Sequence, residues 1–109
     1  MAYNEELADR VRGILSVQPG LTEKKMFGGL SFMLRGNMAC GVLREDLIVR
    51  LAPQDHDRAL AQPHARPMDF TGRPMKGFVY VGPEALRSDE DLREWVSRGV
   101  RFALSLPPK

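Results

Sequence analysis

The segment Lys24–Leu51, KKMFGGLSFMLRGNMACGVLREDLIVRL, predicts a series of short strands. Apolar residues alternate along it with more polar ones, which is typical of a strand with one buried face. In the first clear strand the inward residues are Leu30, Phe32 and Leu34. The rest of the fold is organised around this sheet.

A hairpin is predicted to follow, with Gly36 and Asn37 as a two-residue loop, because glycine at the first loop position suits a type II′ turn. This register pairs Leu34 with Ala39 and Phe32 with Gly41, where the glycine leaves room for the Phe32 ring. The resulting core face consists of Leu30, Phe32, Leu34, Ala39, Gly41 and Leu43.

The second turn is predicted from the face that the next strand must bury. Leu47, Val49 and Leu51 join the core only if the loop has three residues, because a slip of one residue turns every side chain over. The loop is then 44–46, with Asp46 as the left-handed residue. The opposite face holds Ser31, Met33, Arg35, Met38, Cys40, Val42, Ile48 and Arg50, and is too apolar to be an ordinary solvated surface.

Helices are predicted at both ends of the chain and after the central strands. An apolar stripe with Asn4 as its cap predicts a helix over 4–17, and Ser88 followed by three acidic residues predicts the start of a helix that ends near Ser105. The remaining predicted elements are short strands over 24–27, 68–70 and 77–81, a short helix over 54–62, a loop over 63–67, a turn over 71–74 and a helical turn over 84–86. This order predicts an α+β fold with an antiparallel sheet and all helices on one face.

Composition indicates one soluble domain spanning residues 1–109. Hydrophobic residues make up 43% and charged residues 28% of the 109 residues, which is ordinary for a globular protein. No apolar run is long enough to span a membrane, and the acidic, polar N-terminus does not resemble a secretory signal. The single cysteine, Cys40, excludes an internal disulfide, so we expect a cytoplasmic protein.

The charge distribution is only mildly basic. The net charge is +2, and residues 22–83 hold nine basic against six acidic residues, which is weaker than the clustered basic stripe of a dedicated DNA-binding protein. A small nucleic-acid-binding module is still an alternative. The candidate contact residues are Lys24, Lys25, Arg35, Arg73 and Lys76, and for a protein partner also Met33 and Met38.

No combination of residues predicts catalysis, a metal site or a cofactor. His56 and His64 lack the spacing of metal ligands, and Cys40 on a strand is expected to be a small buried apolar residue. Gly28 and Gly29 lack the rest of a phosphate-loop pattern and indicate a turn between strands. We therefore expect no enzyme, no metal and no cofactor, while a small enzyme stays open as a third class.

The chain resembles the N-terminal domain of the TfoX/Sxy competence regulators. The resemblance rests on Met26-Phe27-Gly28-Gly29, then on Phe32, Gly36, Met38, Asp46-Leu47, Arg50, Phe78, Pro83-Glu84, Leu92 and Trp95. It implies a two-layer fold similar to secretion chaperones and a non-enzymatic regulatory role connected with competence genes. We expect a stand-alone, single-domain member of that family.

The apolar second face of the sheet leads to an expectation of self-association. Large apolar patches on monomers usually mark contact sites, and a symmetric homodimer is the commonest way to cover one. Two alternatives are open: that residues 63–75 fold over this face within one chain, or that a different partner covers it.

Overall fold

The computed structural model describes residues 3–26, 28–69 and 74–108, with the backbone alone at positions 26, 68, 69 and 74–76. Its helices are α1 (Glu5–Leu15), α2 (His56–Leu60) and α3 (Asp89–Ser105), with 3₁₀ turns at Pro53–Asp55 and Pro83–Leu86. Its strands are β1 (Leu21–Met26), β2 (Gly29–Leu34), β3 (Asn37–Leu43), β4 (Asp46–Arg50), β5 (Ala65–Asp69) and β6 (Pro74–Val81). None of the described helices combines the length and the apolar character that crossing a membrane requires.

The six strands form one antiparallel sheet in the order β1-β2-β3-β4-β6-β5. Helices and sheet share one large core, to which all three helices contribute. A smaller apolar cluster occupies the other side of the sheet. The predicted α+β class, with an antiparallel sheet and helices packed on one face, is confirmed.

Side-chain caps explain where the two long helices begin. The Asn4 side chain accepts a hydrogen bond from the Leu7 N–H at 3.0 Å, and the Ser88 hydroxyl accepts one from the Asp91 N–H at 3.0 Å. Each satisfies a backbone donor that has no partner within the helix. Both predicted caps are confirmed, and α1 ends two residues earlier than predicted.

The register predicted for the first hairpin is wrong. Leu34 pairs with Asn37, so the loop is Arg35-Gly36, and both loop residues have positive φ, 53° and 86°. Positive φ at both positions is the type I′ geometry that matches the twist of a hairpin. The type II′ prediction fails because Arg35 adopts positive φ, which is uncommon for a residue other than glycine.

A β-bulge then shifts the faces of β3. The register changes between Phe32 and Met33, so that Met33 pairs with Met38 and Phe32 with Cys40. Ala39 is the extra residue. As a result Cys40 and Val42 belong to the core beneath the helices, whereas Gly41 and Leu43 lie on the opposite face, each the reverse of the prediction.

The second loop also differs from the prediction. Leu43 pairs with Asp46, so the loop has two residues, Arg44 and Glu45, and Arg44 is the residue with positive φ, 54°. The predicted three-residue loop followed from placing Leu43 on the core face. Because the bulge had already turned β3 over, two residues suffice to bring Leu47 and Val49 into the core.

The segment after α2 differs as well, because residues 65–67, predicted as loop, are part of β5. β5 extends the sheet beside β6, so residues 65–69 lie at the edge of the sheet and do not form a cover over its second face. Phe70, the last residue of the predicted strand 68–70, and residues 71–73 of the predicted turn lie outside the described residues. Pro74 is the first residue of β6.

The large apolar residues predicted to face inward are all buried, but Leu43 is buried on the opposite face from the predicted one. Phe32 is fully buried, and Leu30, Leu34, Leu43, Leu47, Val49 and Leu51 are all less than a tenth exposed. Leu43 is buried on the side away from the helices. Over the core, α3 approaches β3 at Gly99, where the helix backbone lies directly against the Ala39 carbonyl.

Candidate functional site: the face of the sheet without helices

One row of paired residues crosses all six strands on the side opposite the helices. We call this surface, with the Met38, Leu43 and Ile48 cluster at its centre, the open face. The row consists of Lys24, Ser31, Gly41, Ile48, Tyr80 and Arg66, in that order from β1 to β5. It therefore has a basic residue at each edge and small or apolar residues between them.

The centre of the open face is already shielded within one chain. Ile48 is 3% and Met38 6% exposed, and the partly buried side chains of Met33, Phe78 and Tyr80 pack around them. Gly41 makes this possible, since a Cβ added there would lie 3.3 Å from the Met38 methyl group. Among the described side chains, the accessible part of the apolar cluster thus consists of Met33, Phe78 and Tyr80 around a tight centre.

Arginines lie over the two aromatic rings described on the open face. The Arg66 guanidinium carbon lies 5.3 Å from the centre of the Tyr80 ring, and that of Arg50 lies 5.6 Å from the centre of the Phe78 ring. These are cation–π distances. Arg66 also donates to the Asp46 carboxylate at 2.6 Å. Arg50 lies 5.2 Å from the Phe102 ring of α3 as well, so it connects the end of this face to the helical layer.

The candidate contact residues from the sequence are only partly brought together. Met33, Met38 and Lys24 lie on the open face, whereas Lys25 pairs with Leu30 and faces the other side. Arg35 is in the β2–β3 loop, where its N–H donates to the Gly20 carbonyl.

The two remaining candidates lie far from β1. Lys76 belongs to β6, which three strands separate from β1, and Arg73 lies outside the described residues. The predicted basic residues therefore do not form one patch in the described part of the chain.

The comparison with protein families agrees with the resemblance in the sequence. The family model described as the TfoX N-terminal domain matches residues 14–103, which includes every strand and most of α3. The chain belongs to the TfoX N-terminal domain family. A comparison with curated proteins found no match to this chain.

In this TfoX N-terminal domain the titratable side chains considered for chemistry are separated. Cys40 is fully buried, and loss of solvation raises the pKa of its thiol to about 12, so the thiolate that a nucleophile requires does not form near neutral pH. The buried His56 accepts a hydrogen bond from the Gly77 N–H at its Nδ1, at 3.0 Å, and thereby attaches α2 to β6. Among the described residues no three His, Cys, Asp or Glu side chains form a group that could hold a metal ion.

Sequence reasoning missed Arg66 as a component of the open face. Residues 63–67 are predicted as a loop, and proline is indeed unusual inside a strand. Pro67 is tolerated because β5 is an edge strand. One sequence signal could have indicated a strand near Arg66. The β-forming run 77–81 is typical of a strand that has a neighbouring strand along each of its two edges, and β4 supplies only one of them.

Proposed function

We propose that this TfoX N-terminal domain is a non-enzymatic protein-interaction domain that contacts its partner through the open face, and that the partner is a second copy of the chain. The regulatory role implied by the resemblance to competence regulators would then depend on protein contact rather than on catalysis. The open face carries this proposal because it is apolar, has no covering helix among the described elements and lies opposite the helical core.

The residue types of the open face favour protein contact over nucleic-acid contact. Methionine, phenylalanine, tyrosine and arginine are enriched at protein interfaces, and methionine repacks easily against a new surface. A sheet that binds single-stranded nucleic acid needs aromatic faces on which bases can stack. Here Arg66 and Arg50 already lie over the Tyr80 and Phe78 rings.

The size of the open face is suitable for a small interface. Six strands of five to eight residues form a sheet about 24 Å wide and roughly 17–27 Å long at standard spacings. The flat area is therefore roughly 400–650 Å², which is of the same order as the ~800 Å² that each partner contributes to a standard interface.

A second copy is the occupant that charge favours. Among the described side chains, the central cluster of Met38, Leu43 and Ile48 is uncharged, so two copies brought together would not repel one another there. The charged neighbours on β4 are already engaged, Arg50 with the Phe78 ring and Asp46 with Arg66. The charged residues Lys24 and Arg66 lie at the two ends of the central row, in the position of the polar rim of an interface. Two such sheets can pack face to face about 10 Å apart.

Sedimentation velocity at micromolar concentration tests the proposal. We expect the wild type to sediment as a dimer, and Met33→Glu and Tyr80→Glu to sediment as folded monomers, because both side chains are only partly buried in one chain. Leu104→Glu is the matched control, because Leu104 is 42% exposed on α3, and this variant should remain dimeric. A wild type that is monomeric at all concentrations, or a dimer unaffected by both substitutions, would overturn the proposal.

A salt titration of single-stranded DNA binding tests the alternative function. Binding through phosphates weakens linearly on a log–log plot against salt concentration. Such binding by the wild type, lost in Lys24→Ala and Arg66→Ala, would replace the protein-contact proposal. We expect no measurable binding at physiological salt.

A further inference from the structure

A second surface feature lies in the helical layer, away from the open face. A groove of about 560 Å³ runs between α3 and the segment formed by α2 and the 3₁₀ turn before it. Its walls carry three arginines, Arg58 from α2 and Arg98 and Arg101 from α3. We propose that this groove binds a small organic phosphate of about the size of a mononucleotide.

The lining of the groove has more basic than acidic side chains. Arg98 is held in place, since its Nε lies 3.5 Å from Glu94 and its guanidinium carbon 4.3 Å from the centre of the Trp95 ring. Arg58 and Arg101 are exposed and make no ion pair with another described residue. With Glu94 neutralised by Arg98, the one other acidic residue of the lining is Asp55, so a net positive charge faces the groove.

Arginine is the side chain best suited to hold a phosphate. Its planar guanidinium donates two parallel hydrogen bonds to one oxyanion, and it is more weakly hydrated than an ammonium group. Arg58 and Arg101 come from two different helices, so an anion between them would be held from both walls.

The size and floor of the groove point to an organic ligand rather than to a free ion. Sites for small molecules typically enclose ~300–1,000 Å³ and combine an apolar lining with a few polar groups. Leu51, Ala59 and Phe102 supply apolar lining, and the polar side chains are those of Gln54, Gln62 and Ser105. The apolar part would take the body of the ligand, and the amide and hydroxyl groups its polar edges.

The test is an NMR titration of the full chain with adenosine monophosphate, and with adenosine and inorganic phosphate in parallel. We expect adenosine monophosphate to shift the resonances of groove residues. Its dissociation constant should be at least about tenfold lower than that of adenosine or of inorganic phosphate, because each of these makes only some of the contacts. Arg58→Ala and Arg101→Ala should each weaken binding by roughly tenfold or more, the usual loss with a charge-assisted contact.

Arg93→Ala is the matched control, because Arg93 is an exposed arginine of α3 that does not line the groove, and it should bind as the wild type does. Inorganic phosphate that binds as tightly as the nucleotide would reduce the groove to a general anion site and overturn the proposal. No shift at millimolar nucleotide, or equal loss in Arg93→Ala, would overturn it as well. Because this groove shares no lining residue with the cluster of the open face, the outcome is independent of the dimer test.

Discussion

Cys40 illustrates how the environment of one residue decides its chemistry. It lies on β3 beneath the helices, fully buried, and the lost solvation raises the pKa of its thiol from the ordinary value of 9.0 to about 12. The thiol therefore stays protonated in the native state at pH values where it ionises in the unfolded chain. Its interpretation as a small buried apolar residue, made from the sequence, agrees with this burial.

The raised pKa of Cys40 predicts a fall in stability at alkaline pH. Below about pH 9 the thiol is protonated in both states and contributes nothing to the pH dependence. Above that the unfolded state loses the proton first, so the free energy of unfolding falls by about 1.4 kcal/mol per pH unit from this residue as the pH approaches 12. Urea unfolding from about pH 9 to about pH 11 should show a flatter decline for Cys40→Ala than for the wild type. Parallel declines would contradict the assigned burial of the thiol.

At the scale of elements, the contact between α3 and β3 depends on the absence of one side chain. A Cβ at Gly99 would overlap the Ala39 carbonyl of the strand, which lies in the bulge that sets the faces of β3. The glycine in the helix and the bulge in the strand thus form a single packing unit.

Gly99→Ala should therefore destabilise the protein by roughly 1–3 kcal/mol, the usual cost of forcing extra volume into a packed site. Gly13→Ala is the matched control, because a Cβ at Gly13 in α1 would meet nothing within 4 Å. That variant should gain up to about 1 kcal/mol from the better helix propensity of alanine. Chemical denaturation measures both, and a neutral Gly99→Ala would contradict the close helix–strand contact.

Most elements could be predicted from the sequence, and the faces of β3 could not. Periodicity and caps mark α1, α3, β2 and β4 because each depends on local signals. The β3 register depends on the bulge at Ala39, which no local pattern indicates, and on positive φ at Arg35 and Arg44. The missed bulge in β3 and the extra residue of the predicted second loop offset each other, so the buried residues of β4 were predicted correctly from a wrong register.

The candidate sites could be predicted only where their residues are close in sequence. Met33 and Met38 can be placed on one face from the alternation within their two neighbouring strands, although the structure pairs them in a different register from the predicted one. In sequence, Arg58 and Arg101 are separated by both of the last two strands and by most of α3, and only the packing of the helices brings them to one groove. Spacing along the chain carries no information about such a pair.

At the scale of the whole molecule, the open sheet has two edge strands that are protected differently. Pro67 lies on β5 and has no N–H to offer a further strand. β1 contains no proline, and its residues 22–25 are all exposed. Lysines on an edge strand discourage pairing with other chains, because the extra strand would have to bury or repel their charge. Lys24 and Lys25 project to opposite sides of β1, so an added strand would meet a lysine on either face of that edge.

We therefore expect the double variant Lys24→Val and Lys25→Val to aggregate through β1. It would present a longer β-forming edge, LTEVVM, and static light scattering should grow with time and concentration beyond that of the wild type. The double variant Arg87→Val and Arg93→Val is the control. Each double variant adds two valines and lowers the net charge from +2 to zero. The control differs because its two exposed positions lie away from the sheet. Scattering that rises equally in both variants would assign the effect to lost net charge. An edge variant as soluble as the wild type would show that the two lysines have no protective role.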